Sequence, residues 1–137
     1  MTGVELIAAE RQRQIDVEGW SSEHDDEHDQ GEMIDAGICY AGMAACLVSD
    51  NYSDVEAREI LLETWPWDME WWKPSDDTIR NLVKSAALLA SEIDRLQRKA
   101  KMEEVDNAIL AAVQRDKVRE AHRTLEEAGE SHVPNDK

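Results

Sequence analysis

The longest uninterrupted segment of this chain lies in its C-terminal half, where no glycine or proline occurs between Ser75 and Gly129. Apolar residues recur there at intervals of three and four, the spacing of one face of an α-helix. The repeat consists of Ile79, Leu82, Val83, Ala86, Leu89, Ile93 and Leu96. Ser75, Asp76 and Asp77 precede it and suit a helix N-terminus. The segment predicts one long helix or a helical hairpin, with a break expected at Lys101–Asp106, where the stripe lapses.

Three further segments have helical patterns. VELIAAERQRQI follows Thr2, a predicted N-cap, and is expected to end at Gly19. EMIDAGICYAGMAACLV follows Gly31 and reads as a buried helix whose small residues would let another helix approach closely. Asp50 and Asn51 mark a turn, and Ser53 with Glu56 forms a capping-box pattern that predicts the next helix. No segment predicts a strand, so the expected fold is all-α, a compact helical bundle.

The chain of 137 residues is long enough for one hydrophobic core. We expect a helical core domain at residues 1–100, a C-terminal helical extension at 101–128 and a disordered tail at 129–137. An exposed apolar stripe on such an extension is usually covered by a helix from a second copy. The pattern therefore predicts a homodimer or a higher helical oligomer.

Cysteine usage and the apolar runs bear on location. Cys39 and Cys46 lie seven residues apart on one predicted helix, a spacing too long for a disulfide. No signal peptide is recognisable, and no apolar run is long enough to cross a membrane. We expect a protein of the bacterial cytoplasm that does not contact membranes.

Acidic residues are concentrated in the first half of the chain. The formal net charge is −16, and residues 1–72 hold 18 acidic and three basic side chains, a charge of −15. A surface of this kind disfavours direct binding to a nucleic-acid backbone. It suits a divalent cation, a basic protein partner, or imitation of the charge of DNA.

The acidic segment, EHDDEHDQGE at Glu23–Glu32, combines two histidines with six carboxylates. His24 and His28 are four residues apart, and so are Asp25 and Asp29, so each pair would share a face of a helix. Mg²⁺ and Mn²⁺ are held by converging oxygen donors, with histidine accepted by Mn²⁺. The predicted metal ligands are His24, Asp25, His28, Glu32, Asp35 and Glu92. The alternative is a solvated acidic loop that caps the next helix.

A second unusual segment, WPWDMEWWKP, holds four tryptophans and two prolines. Each proline disfavours the helical conformation of the residue before it, so we expect an ordered aromatic loop here. Lys73 follows the last tryptophan, and Arg80 and Lys84 share a face one turn into the next helix. Indoles stack on nucleobases, and lysine and arginine pair with phosphates. Trp67, Trp72 and these three cations therefore predict a nucleotide pocket. The alternative is that the tryptophans fill the core of a chain that has no phenylalanine.

The ordered set ERQRQI, GW, EHDDEH, WPW, WWKP, RNLVK and EIDRL resembles small proteins encoded by tailed bacteriophages and prophages, over residues 5–98. That resemblance implies no particular activity. A more distant similarity is to the all-α nucleoside triphosphate pyrophosphohydrolases of the MazG and dimeric dUTPase type, helical oligomers that bind Mg²⁺ through E-x-x-E and E-x-x-D helices. Glu56 with Glu59 and Glu32 with Asp35 have these spacings, in reversed order.

Three functional hypotheses follow. The first is a phage-derived, metal-dependent nucleotide phosphohydrolase, with Glu27 as general base, Lys73, Arg80 and Lys84 on the phosphates, and Trp67 or Trp72 on the base. The second is a non-catalytic acidic phage protein that binds a basic host protein. The third is a nucleotide-binding module without turnover.

Overall fold

The computed structural model of the protein describes residues 1–49 and 54–130. Within these ranges every regular element is helical and no strand occurs, which confirms the predicted all-α class and the long C-terminal helix. The elements are α1 (Gly3–Asp16), α2 (Ser22–Asp26), α3 (Glu32–Val48), α4 (Asp54–Thr64), a single 3-10 turn (Met69–Trp71) and α5 (Thr78–Glu130). The predicted turn at Asp50 and Asn51, the predicted cap at Ser53, and residues 131–137 with His132 lie outside the described residues.

Helix α5 is continuous, and the break predicted at Lys101–Asp106 is wrong. The sequence there, KAKMEEVDN, lacks an apolar stripe but contains mostly strong helix formers. Lys99 and Glu103 are also spaced for a favourable pair on the helix surface. Gly129 lies within the last turn of α5 instead of ending it, since the absence of a side chain there costs only about 1 kcal/mol.

The chain divides into two compact units at the boundary between Gln97 and Arg98. The described part of the second unit, residues 98–130, is helical. Its large apolar side chains are exposed, and they are Met102, Val105, Ile109, Leu110, Val113, Val118 and Leu125. Within that unit nothing described covers them.

Helix α1 begins where the sequence predicts and buries a polar face. Thr2 and Glu5 form a reciprocal capping box at its N-terminus. The helix ends at Asp16, and Gly19 adopts a left-handed conformation in the turn beyond it. Its buried residues are Glu10 and Gln14, although apolar periodicity alone would place Val4 and Ile15 inward. Glu10 is buried because arginines on two helices bond it, as described below.

The core of the first unit forms around α3. Its buried members are Ala36, Cys39, Tyr40, Met43, Leu61, Trp65 and Leu88, and Trp20, Trp67 and Trp72 pack against it. Helix α3 approaches α5 closely at Gly37, whose carbonyl accepts a hydrogen bond of 2.7 Å from the hydroxyl of Ser85. It approaches α4 closely at Gly42, where an added Cβ would lie 2.5 Å from a methyl carbon of Leu61. Small residues therefore allow the tight packing that positions the tryptophans.

Both cysteines are free thiols, and Cys39 is buried in that core. Burial raises the pKa of the Cys39 thiol to about 11, with a further contribution from the carboxylate of Asp35. None of the described helices combines the length and the apolar character needed to span a membrane.

Candidate functional site

The acidic segment is a short helix followed by a turn. Ser21 caps α2, and its hydroxyl accepts a 3.3 Å hydrogen bond from the backbone N–H of His24. The helix ends at Asp26, and the N–H of His28 then donates to the carbonyl of Asp25 at 3.0 Å. This geometry turns Asp25 inward and leaves Glu23, Asp26, Glu27 and Asp29 exposed. One face of the segment is therefore buried, and the other presents carboxylates to the surface.

Asp25 anchors α2 to α1. Its side chain is almost completely buried and forms an ion pair and hydrogen bond with the guanidinium of Arg11. Arg11 also donates to the backbone carbonyl of Trp20 at 3.3 Å. A charge this far from water is tolerated only with a partner. The sequence predicted Asp25 as a metal ligand, but the structure commits it to an arginine.

The two histidines of the segment face indole rings. His24 stacks on Trp20 with an interplanar angle of 2° and a centroid separation of 5.8 Å. His28 meets Trp67 edge to face at 5.2 Å, and the two imidazoles lie 4.9 Å apart. Trp20 and Trp67 are 6.4 Å apart, which closes a circuit of four rings. The histidines therefore belong to an aromatic cluster.

A second set of rings continues this cluster towards the core. Trp65 lies 5.4 Å from Trp67 and 5.8 Å from Tyr40, in both cases nearly perpendicular. Trp72 packs 4.8 Å from Trp65 and 4.9 Å from Tyr40. The indole N–H of Trp65 donates to the carbonyl of Asp68 at 3.2 Å, which holds the loop against the core.

All of these rings except Trp72 line, together with Trp71, a partly open cavity of about 650 Å³ within the first unit, a volume typical of small-molecule sites. Seven of its eleven lining residues are aromatic rings or imidazoles. They are Trp20, His24, His28, Tyr40, Trp65, Trp67 and Trp71, and the others are Glu18, Pro66, Asp68 and Leu88. The predicted meeting of the acidic segment with the tryptophan loop therefore occurs through the histidines and Trp67, whereas Trp72 lies outside the cavity lining.

The cavity lining contains two carboxylates, those of Glu18 and Asp68. Glu18 Oε1 lies 3.0 Å from Arg13 Nη1, so its charge is shared with that arginine. Asp68 is exposed, and its carboxylate has no ion pair or hydrogen bond to any other described residue. The indole Nε1 of Trp67 is buried and lacks a hydrogen-bond partner among the described residues. A ligand or water that supplies an acceptor stabilises a buried donor of this kind, because it removes the cost of an unmade hydrogen bond.

The three cations predicted to bind phosphate do not line the cavity, although Lys73 and Lys84 lie over rings that do. Arg80 Nη1 donates to Glu10 Oε2 at 2.6 Å. Lys84 Nζ donates to the carbonyl of Lys73 at 2.7 Å and lies 5.3 Å from the centre of the Tyr40 ring. Burial, with Arg80 nearby, lowers the pKa of Lys84. The ammonium of Lys73 lies 5.7 Å from the Trp71 ring centre, and none of the three lines the cavity.

Glu10 is the buried carboxylate that binds Arg80, and sequence reasoning missed it. It accepts two hydrogen bonds of 2.9 Å from Arg13 in addition to the one from Arg80. Burial alone would raise the pKa of Glu10, but the bonds from Arg13 and Arg80 outweigh burial and hold it below its ordinary value. The sequence signal for this ion pair was the three-residue spacing between Glu10 and Arg13. The contact with Arg80 gives no local signal, because the two residues are 70 positions apart.

The predicted metal ligands do not fit a metal ion as a group. Throughout residues 1–49 and 54–130, no three His, Cys, Asp or Glu side chains are gathered where they would hold one ion. Glu92 is buried and pairs with Arg95 through two bonds of 2.8 Å. Glu32 Oε2 accepts from the backbone N–H of Gln30 at 2.8 Å, at the start of α3. Asp35 is half-buried near Cys39.

Glu27, the predicted general base, is exposed at the C-terminal cap of α2 and does not line the cavity. Sequence reasoning also missed Trp20, Glu18 and Asp68 as members of the site. The proximity of Trp20 to the acidic segment was the only signal for it. Comparison of the chain with protein-family models, with curated proteins and with solved structures finds no match.

Proposed function

We propose that this protein is a non-catalytic binding protein whose acidic segment engages a basic partner protein. One observation carries the proposal: the segment directs its histidines and Asp25 inward while Glu23, Asp26, Glu27 and Asp29 remain on the surface. Two of the three basic residues among positions 1–72, Arg11 and Arg13, are engaged in ion pairs within the first unit.

The physical basis is electrostatic. Carboxylates crowded on one surface repel one another, and a cationic partner relieves that repulsion as it binds. Such complementarity raises the association rate and is screened by salt over a Debye length of about 10 Å at 0.1 M. Partners include the basic proteins that bind DNA, for which this surface would imitate the phosphate charge.

The test is capture of partners from bacterial lysate by the tagged full chain, with identification by mass spectrometry. The expected partner is basic and is lost near 1 M salt, where the Debye length falls to about 3 Å. A variant carrying Glu23→Gln, Asp26→Asn, Glu27→Gln and Asp29→Asn should lose it. The matched control carries Glu103→Gln, Glu104→Gln, Glu126→Gln and Glu127→Gln, an equal charge change on exposed residues of α5. Equal capture by both variants would contradict the proposal.

The nucleotide phosphohydrolase and the nucleotide-binding module stay predictions, as do the phage origin and the cytoplasmic location. The stacked pair of Trp20 and His24 offers a surface for a nucleobase. However, Glu18 and Asp68 would repel a phosphate at the cavity, and the predicted cations are engaged elsewhere. Turnover of deoxynucleoside triphosphates with Mg²⁺ or Mn²⁺ would revive the enzyme hypothesis.

We also propose that the chain is a homodimer. Support comes from the face of α5 within the first unit, where apolar side chains repeat at three and four and yet are exposed. They are Ile79, Leu82, Leu89, Ile93 and Leu96. Sedimentation equilibrium should give twice the chain mass of 15.6 kDa, and Leu89→Glu with Ile93→Glu should return the single-chain mass. A wild-type mass of one chain would contradict the proposal.

A further inference from the structure

The aromatic cavity has a lining whose chemistry differs from that of an ordinary apolar pocket. Four indoles, one phenol and two imidazoles surround it, and its two carboxylates belong to Glu18 and Asp68. The faces of aromatic rings carry partial negative charge and attract cations, most strongly for tryptophan. Ring faces and carboxylates therefore act in the same direction and favour a positively charged ligand.

The chain itself shows that rings in this region accept cations. Lys73 places its ammonium over Trp71, and Lys84 places its ammonium over Tyr40. Both rings also line the cavity, although neither lysine does. Within the lining itself, the carboxylates are those of Glu18 and Asp68.

The lining also constrains the type of cation. A primary ammonium carries three N–H donors that need acceptors when it leaves water. Most of the lining consists of aromatic rings and not of hydrogen-bond acceptors, and Glu18 already receives a bond from Arg13. An alkylated ammonium has few or no N–H groups, so it loses little hydrogen bonding on entering such a site.

We infer that the cavity binds an alkylated ammonium group, the cation of choline-type small molecules and of methylated lysine side chains. The inference rests on the proposed function and deepens it, because it names the group that a cationic partner would present beside the acidic surface. The buried N–H of Trp67, which lacks a partner among the described residues, is available to an acceptor atom on the same ligand.

The first experiment titrates the full chain with choline and with its neutral isostere, in which a tert-butyl group replaces the trimethylammonium group. The readout is the set of five indole N–H signals in NMR spectra. Signals of Trp20, Trp65, Trp67 and Trp71 should shift, while that of Trp72, outside the cavity lining, serves as an internal control. Choline should bind about tenfold more tightly than the isostere. Equal affinity, absence of binding, or a shift confined to Trp72 would overturn the inference.

Two pairs of exposed variants then locate the site without disturbing the core. Asp68→Asn should weaken choline binding about threefold, whereas Glu70→Gln, an equal charge change outside the lining, should leave it unchanged. Trp71→Ala should weaken binding severalfold, whereas Met69→Ala, an exposed truncation in the same 3-10 turn, should not. Equal effects within either pair would overturn the assignment to this cavity.

A final comparison separates the two sources of the cation and the two proposals. A peptide carrying trimethyl-lysine, but not its unmodified form, should compete with choline if the group comes from a protein; failure to compete assigns a free small molecule. In one outcome choline does not bind, while wild type captures a basic partner that the variant with the neutralised acidic segment does not. That outcome refutes the cavity inference and leaves the proposed function standing. Choline binding without partner capture refutes only the proposed function.

Discussion

At the scale of single residues, neighbouring carboxylates of the acidic segment have different physical roles. Asp25 is buried against Arg11, whereas Asp26 next to it is exposed. Sequence reasoning assigned Asp25 to a metal ion, because composition and local spacing do not show which carboxylate turns inward towards an arginine. That choice depends on Arg11, which lies 14 positions earlier on another helix.

Asp25→Asn should lower the free energy of unfolding by about 3 kcal/mol, because it leaves the mostly buried guanidinium of Arg11 without its counter-charge. Asp29→Asn, an equal change at an exposed position of the same segment, should alter stability by no more than about 0.5 kcal/mol. Urea denaturation followed by circular dichroism measures both. Equal losses would show that burial of Asp25 does not distinguish it.

At the scale of elements, apolar periodicity located the helices but did not determine which face of α1 is buried. The pattern favours Val4 and Ile15, but Val4 is 77% exposed, and Glu10 is 4% exposed. Ion pairs with Arg13 and Arg80 stabilise the buried carboxylate of Glu10, so the polar face of α1 is buried in place of the apolar one. Similarly, the missing apolar stripe predicted a break in α5, whereas helix propensity without glycine or proline keeps it continuous.

Glu10→Gln should lower the free energy of unfolding by about 2 kcal/mol, because it weakens the bonds to Arg13 and Arg80. The loss is smaller than for a fully buried pair because both arginines are about one-third exposed. The lowered pKa of Glu10 means that its ion pairs stabilise the fold above the unfolded value of about 4.5, and that this contribution is lost as pH falls through the folded value. The variant should therefore lose less stability on acidification than wild type.

The control for that variant is Asp16→Asn, on the same helix at an exposed position whose carboxylate accepts a hydrogen bond from Gln12. Its unfolding free energy should stay within about 0.5 kcal/mol of wild type. If both variants lose the same stability, or if Glu10→Gln is as acid-sensitive as wild type, the network does not have the assigned role.

At the scale of the whole molecule, the sequence predicted that the acidic segment, the tryptophan loop and the cationic turn would share one cleft. The first two do meet, through His24, His28 and Trp67. The cations do not line the cavity: Glu10 binds Arg80, the carbonyl of Lys73 binds Lys84, and the ammonium of Lys73 lies over Trp71. Local spacing in the sequence does not show which distant residues pair, so it could not show that the three cations stay out of the cavity lining. Without them the cavity favours a cationic ligand, whereas the sequence predicted an anionic one.

The most direct test of the account is whether the imidazoles of the acidic segment contact the indoles. NMR of the folded protein measures this through nuclear Overhauser effects between side-chain ring protons. With centroid separations of 5.2 Å for His28 and Trp67 and 5.8 Å for His24 and Trp20, both pairs should give cross-peaks. Imidazole protons that show no cross-peak to any indole would contradict the account, because the cavity would then lack the wall that the acidic segment supplies.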